Sequence, residues 1–336
     1  MKLTWEPLDL ALRHTFTISR SSMDVAENVL VKLEHDGFVG LGEAPPSKYY
    51  GQDRESVIKA LVLMQGELGN DPFLIEDISQ RLCSFFPRDL AAVAAVDMAL
   101  HDWVGKKLAT PLWKILGLNP SLTPITSYTI GIDETATMVG KVREAPDYPI
   151  LKIKAGTEKD EEMFAAIRNE TDRMIRIDAN AAWNPEEAIE KINLLEKFDI
   201  EFVEQPVAPG DPQSLGTVRD AVTLPIISDE SSVVPSDVPG LAGCVDGINI
   251  KLSKCGGIRQ ALKMIFAAKS AGLKVMLGCM IESSVAITAA AHLSPLVDFA
   301  DLDGNLLIEN DITCGVTVDK GRLVLPGGPG LGLSAY

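Results

Sequence analysis

With 336 residues, 46% of them hydrophobic and 23% charged, the chain has the length and composition for one large folded unit and a smaller one, at about 150 residues per unit. Its 31 lysines and arginines stand against 47 aspartates and glutamates, and the resulting net charge of −16 repels phosphate backbones and anionic lipid surfaces, which argues against nucleic acid or a membrane as partner. No apolar run reaches the roughly 18 to 20 residues of a membrane span, residues 1–16 lack the build of a secretion signal, and five cysteines without a C-x-x-C pair suit reduced thiols, so a cytoplasmic protein is expected.

In chain order, residues 1–13, 28–35 and 37–44 read as strands, the last two joined at Asp36-Gly37, a hairpin signal. Helical patterns follow near 53–68, 74–85 and 89–108, the last Ala-rich and carrying Asp97 and Asp102. Residues 1–120 are therefore expected to form an α+β capping domain, completed by about 306–336, whose strand-like pieces (306–308, 315–318, 322–325) are expected to pair back onto it.

Over 121–305 the rhythm changes. Short β-branched runs at 124–130, 150–154, 174–178, 200–204, 225–229, 245–251, 273–278 and 298–301 alternate with helical stretches at 134–145, 159–170, 185–197, 211–221, 235–242, 257–271 and 283–294. Eight such strands are the count of a closed (β/α) barrel of the TIM type, giving the α/β fold class for this domain. Lys154, Asp178, Glu204, Asp229 and Lys254 stand where successive strands end, spaced 24 to 26 residues apart, one βα unit each. Their side chains are thus expected together at the C-terminal mouth, where such barrels keep their active sites.

Other suggestive stretches lack the required chemistry. The Gly-rich tail from Pro326 fits no phosphate loop and precedes no helix, Asp301 to Asn305 lacks the Gly and Glu positions of a calcium loop, and four scattered histidines support no zinc site. No G-x-S-x-G elbow is present.

Asp178, Glu204 and Asp229 form an all-oxygen set that selects a hard cation, Mg²⁺ first and Mn²⁺ second. Lys154 and Lys254 flank them, with Lys152 and Lys251 as companions; a neighbouring positive charge and partial burial are expected to lower an amine's proton affinity toward that of a base. A cation between two opposed lysines suits proton transfer α to a carboxylate: the metal holds the enediolate oxygens, one lysine removes the proton, and the other returns it to the opposite face.

Lys152-Ile153-Lys154, Asp178-Ala179-Asn180 with Trp183, Val203-Glu204-Gln205-Pro206, Ser228-Asp229-Glu230 and Lys251 to Gly257, in this order and spacing, resemble the enolase superfamily, and within it the muconate lactonizing enzyme subgroup. The resemblance spans nearly the whole chain. It implies a capping domain over a barrel, Asp178, Glu204 and Asp229 as ligands of one Mg²⁺ per subunit, Lys154 and Lys254 as the acid/base pair, and Asn180 and Glu230 as supports of the metal ligands. Asp301-Leu302-Asp303 is similar to the paired aspartates with which dipeptide epimerases hold a substrate ammonium; Thr129, and Lys152 beside the bases, match substrate-contacting positions. The implied function is a dipeptide epimerase inverting the C-terminal residue's α-carbon. Alternatives are an N-acylamino acid racemase, an o-succinylbenzoate synthase, or a metal-stabilised binding protein without turnover. The expected partner is a small dipeptide, with a homo-oligomer left open. Loops near Phe16–Asp24 and Lys48–Gln52 are placed to cover the mouth, and Arg20 is either a contact for an acidic side chain or a surface residue.

Overall fold

The computed structural model describes residues 1–335. Its first three strands, β1 (Lys2–Ile18), β2 (Ser21–His35) and β3 (Phe38–Ala44), form an antiparallel sheet in that order. Asp36 and Gly37 take φ of 46° and 77°, the twist a two-residue hairpin demands. The β1–β2 hairpin runs further than its hydrophobic pattern suggests. A bulge lies between Ala11 and Phe16, and from its end onward the ribbon is held by polar pairs, Thr15 Oγ1 donating to Asp24 Oδ1 at 2.6 Å and Thr17 Oγ1 bonded to Ser22 Oγ at 2.9 Å, so Phe16 to Asp24 is a β-ribbon rather than a loop.

Helix α1 (Arg54–Met64) starts at a capping box between Asp53 and Ser56 and is followed by α2 (Ile75–Phe85) and α3 (Leu90–Lys107). Buried along nearly its whole length, α3 lies between the sheet and the barrel, which explains its alanines. A Cβ on Gly40 or Gly42 would stand 1.9 Å from the carbonyl oxygens of Ala99 and Ala95, so only glycine lets the helix rest on β3.

Eight parallel strands follow, consecutive in space: β4 (Tyr128–Ile130), β5 (Ile150–Lys154), β6 (Met174–Asp178), β7 (Ile200–Glu204), β8 (Ile226–Ser228), β9 (Gly247–Ile250), β10 (Lys274–Gly278) and β11 (Phe299–Asp301). A bridge from Thr126 to Ala300 joins the two ends of the row. Alternation along each strand divides the lumen into layers. Phe202, Ile227, Met276 and Phe299 fill the lower one, with the Arg176 guanidinium 5.1 and 5.2 Å from the two phenyl ring centres. Charged residues fill the upper one.

Six long helices match the expected stretches, from 135–144 to 284–291, while 235–242 holds only a 3₁₀ turn and one turn of α-helix because Pro235 and Pro239 interrupt it. Residues 307–309 pair with β1, Glu309 N–H donating to Ala11 O at 2.9 Å and Arg13 N–H to Leu307 O at 2.9 Å. The hairpin of β12 (Thr317–Asp319) and β13 (Arg322–Val324) instead packs at the base of the barrel, where Gly321 O accepts from Thr126 N–H at 2.8 Å. The strand expected at 306–308 is shortened to a bridge between Ile308 and Leu12, because the 3₁₀ turn Gly304–Leu306 takes its first residue; Tyr336 lies outside the described residues.

Candidate active site

Lys154, Asp178 and Glu204 end β5, β6 and β7, and Asp229 follows β8 by one residue. Lys254 is placed differently from the sequence expectation. It sits not at a strand end but on a one-turn helix, Leu252–Cys255, after β9. Oxygens of Asp178, Glu204 and Asp229 come within 4.8 Å of one another, and all three residues are buried. Lys154 Nζ donates to Asp178 Oδ2 at 2.6 Å. On the other side Lys251 Nζ reaches Asp229 Oδ2 at 2.8 Å, and Lys254 Nζ donates to Asp229 and to the carbonyls of Ser232 and Asn249, each at 3.1 Å. The triad thus lies between the two lysines, as its strand order requires.

The local backbone bends to make this possible. Asn180, Ala181 and Gln205 all adopt left-handed φ, of 48°, 61° and 36°, just past the ends of β6 and β7. Asp178 Oδ1 then accepts the Asn180 N–H at 2.9 Å, and Gln205 Oε1 accepts from the N–H groups of Asp229 at 2.8 Å and Ser231 at 3.1 Å. Asn249 donates to Glu204 Oε1 at 2.7 Å. Neither the Gln205 side chain nor Asn249 is singled out by the sequence reading, although Asn249 stands two residues before Lys251 and so shares its face of β9.

Electrostatics divide the three carboxylates. Burial opposes the charge of Asp178 and Asp229, but Lys152 and Lys154 around the first, and Lys251 and Lys254 around the second, hold both below the usual carboxylate range. Burial and the adjacent Asp178 push Glu204 up to about 7. Its Oε2 lies 2.7 Å from Lys152 Nζ, yet in a direction that makes no hydrogen bond. A buried carboxylate oxygen with no bond, in an all-oxygen set, fits a hard divalent cation.

Lys152, the companion of Lys154, is itself held in the charged form. Burial disfavours its charge, but Asp178, Asp301 and Glu204 outweigh that and hold the ammonium well above the ordinary lysine range. Its Nζ donates to Asp301 Oδ2 at 2.6 Å, so it is a fixed positive charge beside the site. Asp301 also accepts from Ser127 Oγ at 2.6 Å. Asp303 Oδ2 accepts the Thr129 N–H at 2.6 Å, and no cation pairs with it among the described residues. Thr129 therefore meets Asp303 through its main chain.

Two cap segments roof the mouth. Arg20, at the β1–β2 turn, donates to Asn180 O at 2.7 Å and pairs with Glu230 at 2.6 Å, its guanidinium 4.1 Å from the Tyr49 ring centre. Arg20 is therefore a clasp between cap and barrel. Tyr50 and Gln52 line a cavity of about 370 Å³ together with Arg88, Lys254 and Met280.

Residues 7–117 match the mandelate racemase/muconate lactonizing enzyme N-terminal domain, and residues 134–335 match the enolase C-terminal domain-like family. The L-Ala-D/L-Glu epimerase of Bacteroides thetaiotaomicron is 44% identical over 99% of this chain and 88% of that protein. The dipeptide epimerase of Enterococcus faecalis V583, complexed with Mg and L-Leu-L-Tyr, superposes with a TM-score of 0.94 at 36% identity, covering 99% of this chain and 98% of that one. A substrate-liganded L-Ala-D/L-Glu epimerase from Bacillus subtilis gives 0.95 at 31% identity, covering 100% and 98%. The chain belongs to the mandelate racemase/muconate lactonizing enzyme family of the enolase superfamily.

Proposed function

We propose that this protein is a Mg²⁺-dependent dipeptide epimerase that inverts the α-carbon of the C-terminal residue by proton transfer between two lysines. The observation that carries this reading is the placement of Lys154 and Lys254 on opposite flanks of the carboxylate triad, with Asp301 and Asp303 beyond it. Asp178, Glu204 and Asp229 would hold the ion, with Mn²⁺ as a substitute of the same hardness. When bound there, Mg²⁺ supplies a Lewis acid for the substrate carboxylate and so acidifies the α-proton.

The chain's own residues do the rest. One lysine, as the free amine, takes the α-proton and becomes an ammonium. The other, starting as an ammonium, delivers a proton to the opposite face and becomes the amine, so the enzyme finishes each inversion in the reversed protonation state. The Asp178 and Asp229 bonds fix where each Nζ stands. Asp303 offers an unpaired carboxylate to the substrate's ammonium, and Asp301, steadied by Lys152, defines the far wall. An N-acyl substrate would present a carbonyl to these carboxylates, which favours the free dipeptide.

Residues 1–120, joined by 307–309, are read as the capping unit and 121–305 as the catalytic barrel, with the hairpin of β12 and β13 packed at the barrel's base. No helix is long and apolar enough to cross a membrane among the described residues, and all five cysteines are free, which supports a cytoplasmic setting. Exposed Val62 and Leu63 on α1 offer apolar surface for self-association, which light scattering would read as a homo-oligomer's mass.

Incubating the Mg²⁺-loaded protein with a dipeptide library in D₂O tests the reading by mass spectrometry. One deuterium should enter at the C-terminal α-carbon while both epimers accumulate. Better turnover of N-acetyl or N-succinyl amino acids than of any free dipeptide would replace this reading with the racemase.

A further inference from the structure

We propose that the cap helix α3 sets the position of Lys254 through Asp97, a positioning residue for proton transfer on the Lys254 face alone. The inference rests on the two-lysine reading above. Its starting point is that the two lysines are supported by different parts of the molecule. Lys154 is in register with Asp178 in the β5–β6 ladder, so the sheet fixes its backbone. Lys254 has no strand beneath it. It stands on the one-turn helix Leu252–Cys255, which must be held from outside.

That hold comes from the cap. Gly256 and Gly257, directly after this turn, have φ of 92° and 105°, and both N–H groups return to Leu252 O, at 3.1 and 2.9 Å. The space beside them is already taken. A Cβ on Gly257 would fall 2.5 Å from Asp97 Oδ2, and one on Gly256 would fall 3.1 Å from Cys83 Sγ. Asp97, on α3, then reaches past Gly257 to accept the Arg259 N–H at 3.3 Å. Gly257 is the cap residue of helix 258–270 and has no side chain to offer, so a carboxylate from the other domain serves as its N-cap, where negative charge is favoured.

Asp97 is itself restrained. His101 Nδ1 lies 3.3 Å from Asp97 Oδ2 and 2.8 Å from its carbonyl oxygen, and both residues are buried. Burial opposes a charge on His101, but Asp97 outweighs it and raises the imidazole's proton affinity. The restraint matters because Lys254 Nζ is aimed by several fixed carbonyls at once. An error of about 1 Å in a reacting group costs roughly a hundredfold in rate.

Proton exchange separates this from a general role in stability, because each lysine exchanges the α-proton of one epimer. The Lys154→Ala and Lys254→Ala variants first establish which epimer reports which lysine. Asp97→Ala is then expected to slow exchange of the Lys254 epimer by roughly ten- to a hundredfold while the Lys154 epimer changes by less than about twofold. Asp97→Asn, which keeps an acceptor for the Arg259 N–H, is expected to recover most of the loss. If Asp97→Ala does not fold, His101→Gln is measured in its place, with the same selective loss expected. Equal slowing of both epimers, or slowing of neither, would overturn the assignment. Absence of exchange in the parent protein would instead overturn the two-lysine reading, and this inference with it.

Discussion

Asp301 and Asp303 stand two residues apart and are driven in opposite directions. Burial opposes ionisation of Asp301, but Lys152 outweighs it and lowers the proton affinity; burial and the charge of Asp301 push Asp303 up to about 7. A substrate ammonium favours the ionised form of Asp303. KM for a free dipeptide should therefore rise as pH falls below about 7, and Asp303→Asn should abolish that dependence in initial-rate profiles. A charge-assisted hydrogen bond is worth about 1.5 to 3 kcal/mol, so Asp303→Asn should also lower kcat/KM about 10- to 150-fold at neutral pH. At the triad, Glu204→Gln removes one negative charge and leaves Asn249 Nδ2 able to pair with the remaining amide oxygen. Mg²⁺ titrated calorimetrically should bind more weakly while the variant unfolds at nearly the parent temperature. Unchanged Mg²⁺ affinity, or full activity after exhaustive chelation, would remove the metal from this place.

At the scale of elements, Arg176 shows what the barrel needs beneath its charged layer. Its Nε donates to Glu201 Oε2 at 2.7 Å, its Nη1 to Ala300 O at 2.8 Å, and two phenyl faces enclose the guanidinium. Arg176→Ala should cost about 2 to 4 kcal/mol in denaturant unfolding, from lost hydrogen bonds, cation–π contacts and filled volume. An effect under about 0.5 kcal/mol would mean that the lumen repacks without it. The position also marks where sequence reading stops. Met174-Ile175-Arg176-Ile177-Asp178 announces a buried strand by its β-branched residues, and the recurring end-of-strand charges locate the mouth. Local pattern does not say that Arg176 is enclosed by aromatic rings from β7 and β11, because that depends on barrel closure. Lys254 illustrates the same limit. Its spacing places it at the mouth correctly, but Ile250 ends the strand and the lysine reaches the site from a helical turn. Arg20 reads equally well as surface or substrate contact until the cap is docked, when Glu230 and Asn180 become its partners.

Across the whole molecule, carboxylates on the cap terminate segments of the barrel domain. Glu43 on β3 accepts from the N–H groups of Ser283 at 3.0 Å and Ala286 at 3.3 Å, capping helix 284–291; Asp102 on α3 accepts the Leu331 N–H at 2.8 Å. At the other end of helix 284–291, His292 completes the junction: its Nδ1 accepts the Trp113 N–H at 3.3 Å and its Nε2 donates to Leu331 O at 3.1 Å. That pattern requires the neutral imidazole, and burial pushes its proton affinity down, to a pKa of about 4. The unfolded chain, with a histidine near about 6.5, binds the proton first, so the stability due to neutral His292 is complete above that pH and is lost as pH falls toward 4. At about 1.4 kcal/mol per pH unit, some 2 to 3 kcal/mol should disappear between pH 6.5 and 4.5. Glu204 and Asp303, with raised proton affinities, act in the opposite sense over part of this range, so the quantity to measure is parent minus variant. His292→Gln keeps a donor for Leu331 O but does not titrate. Its deficit in urea unfolding should be largest near pH 7.5 and shrink by that amount at pH 4.5, before the carboxylates with lowered proton affinity begin to protonate. A deficit independent of pH would show that His292 titrates in the native protein as it does in the unfolded chain, so that burial does not hold the imidazole neutral.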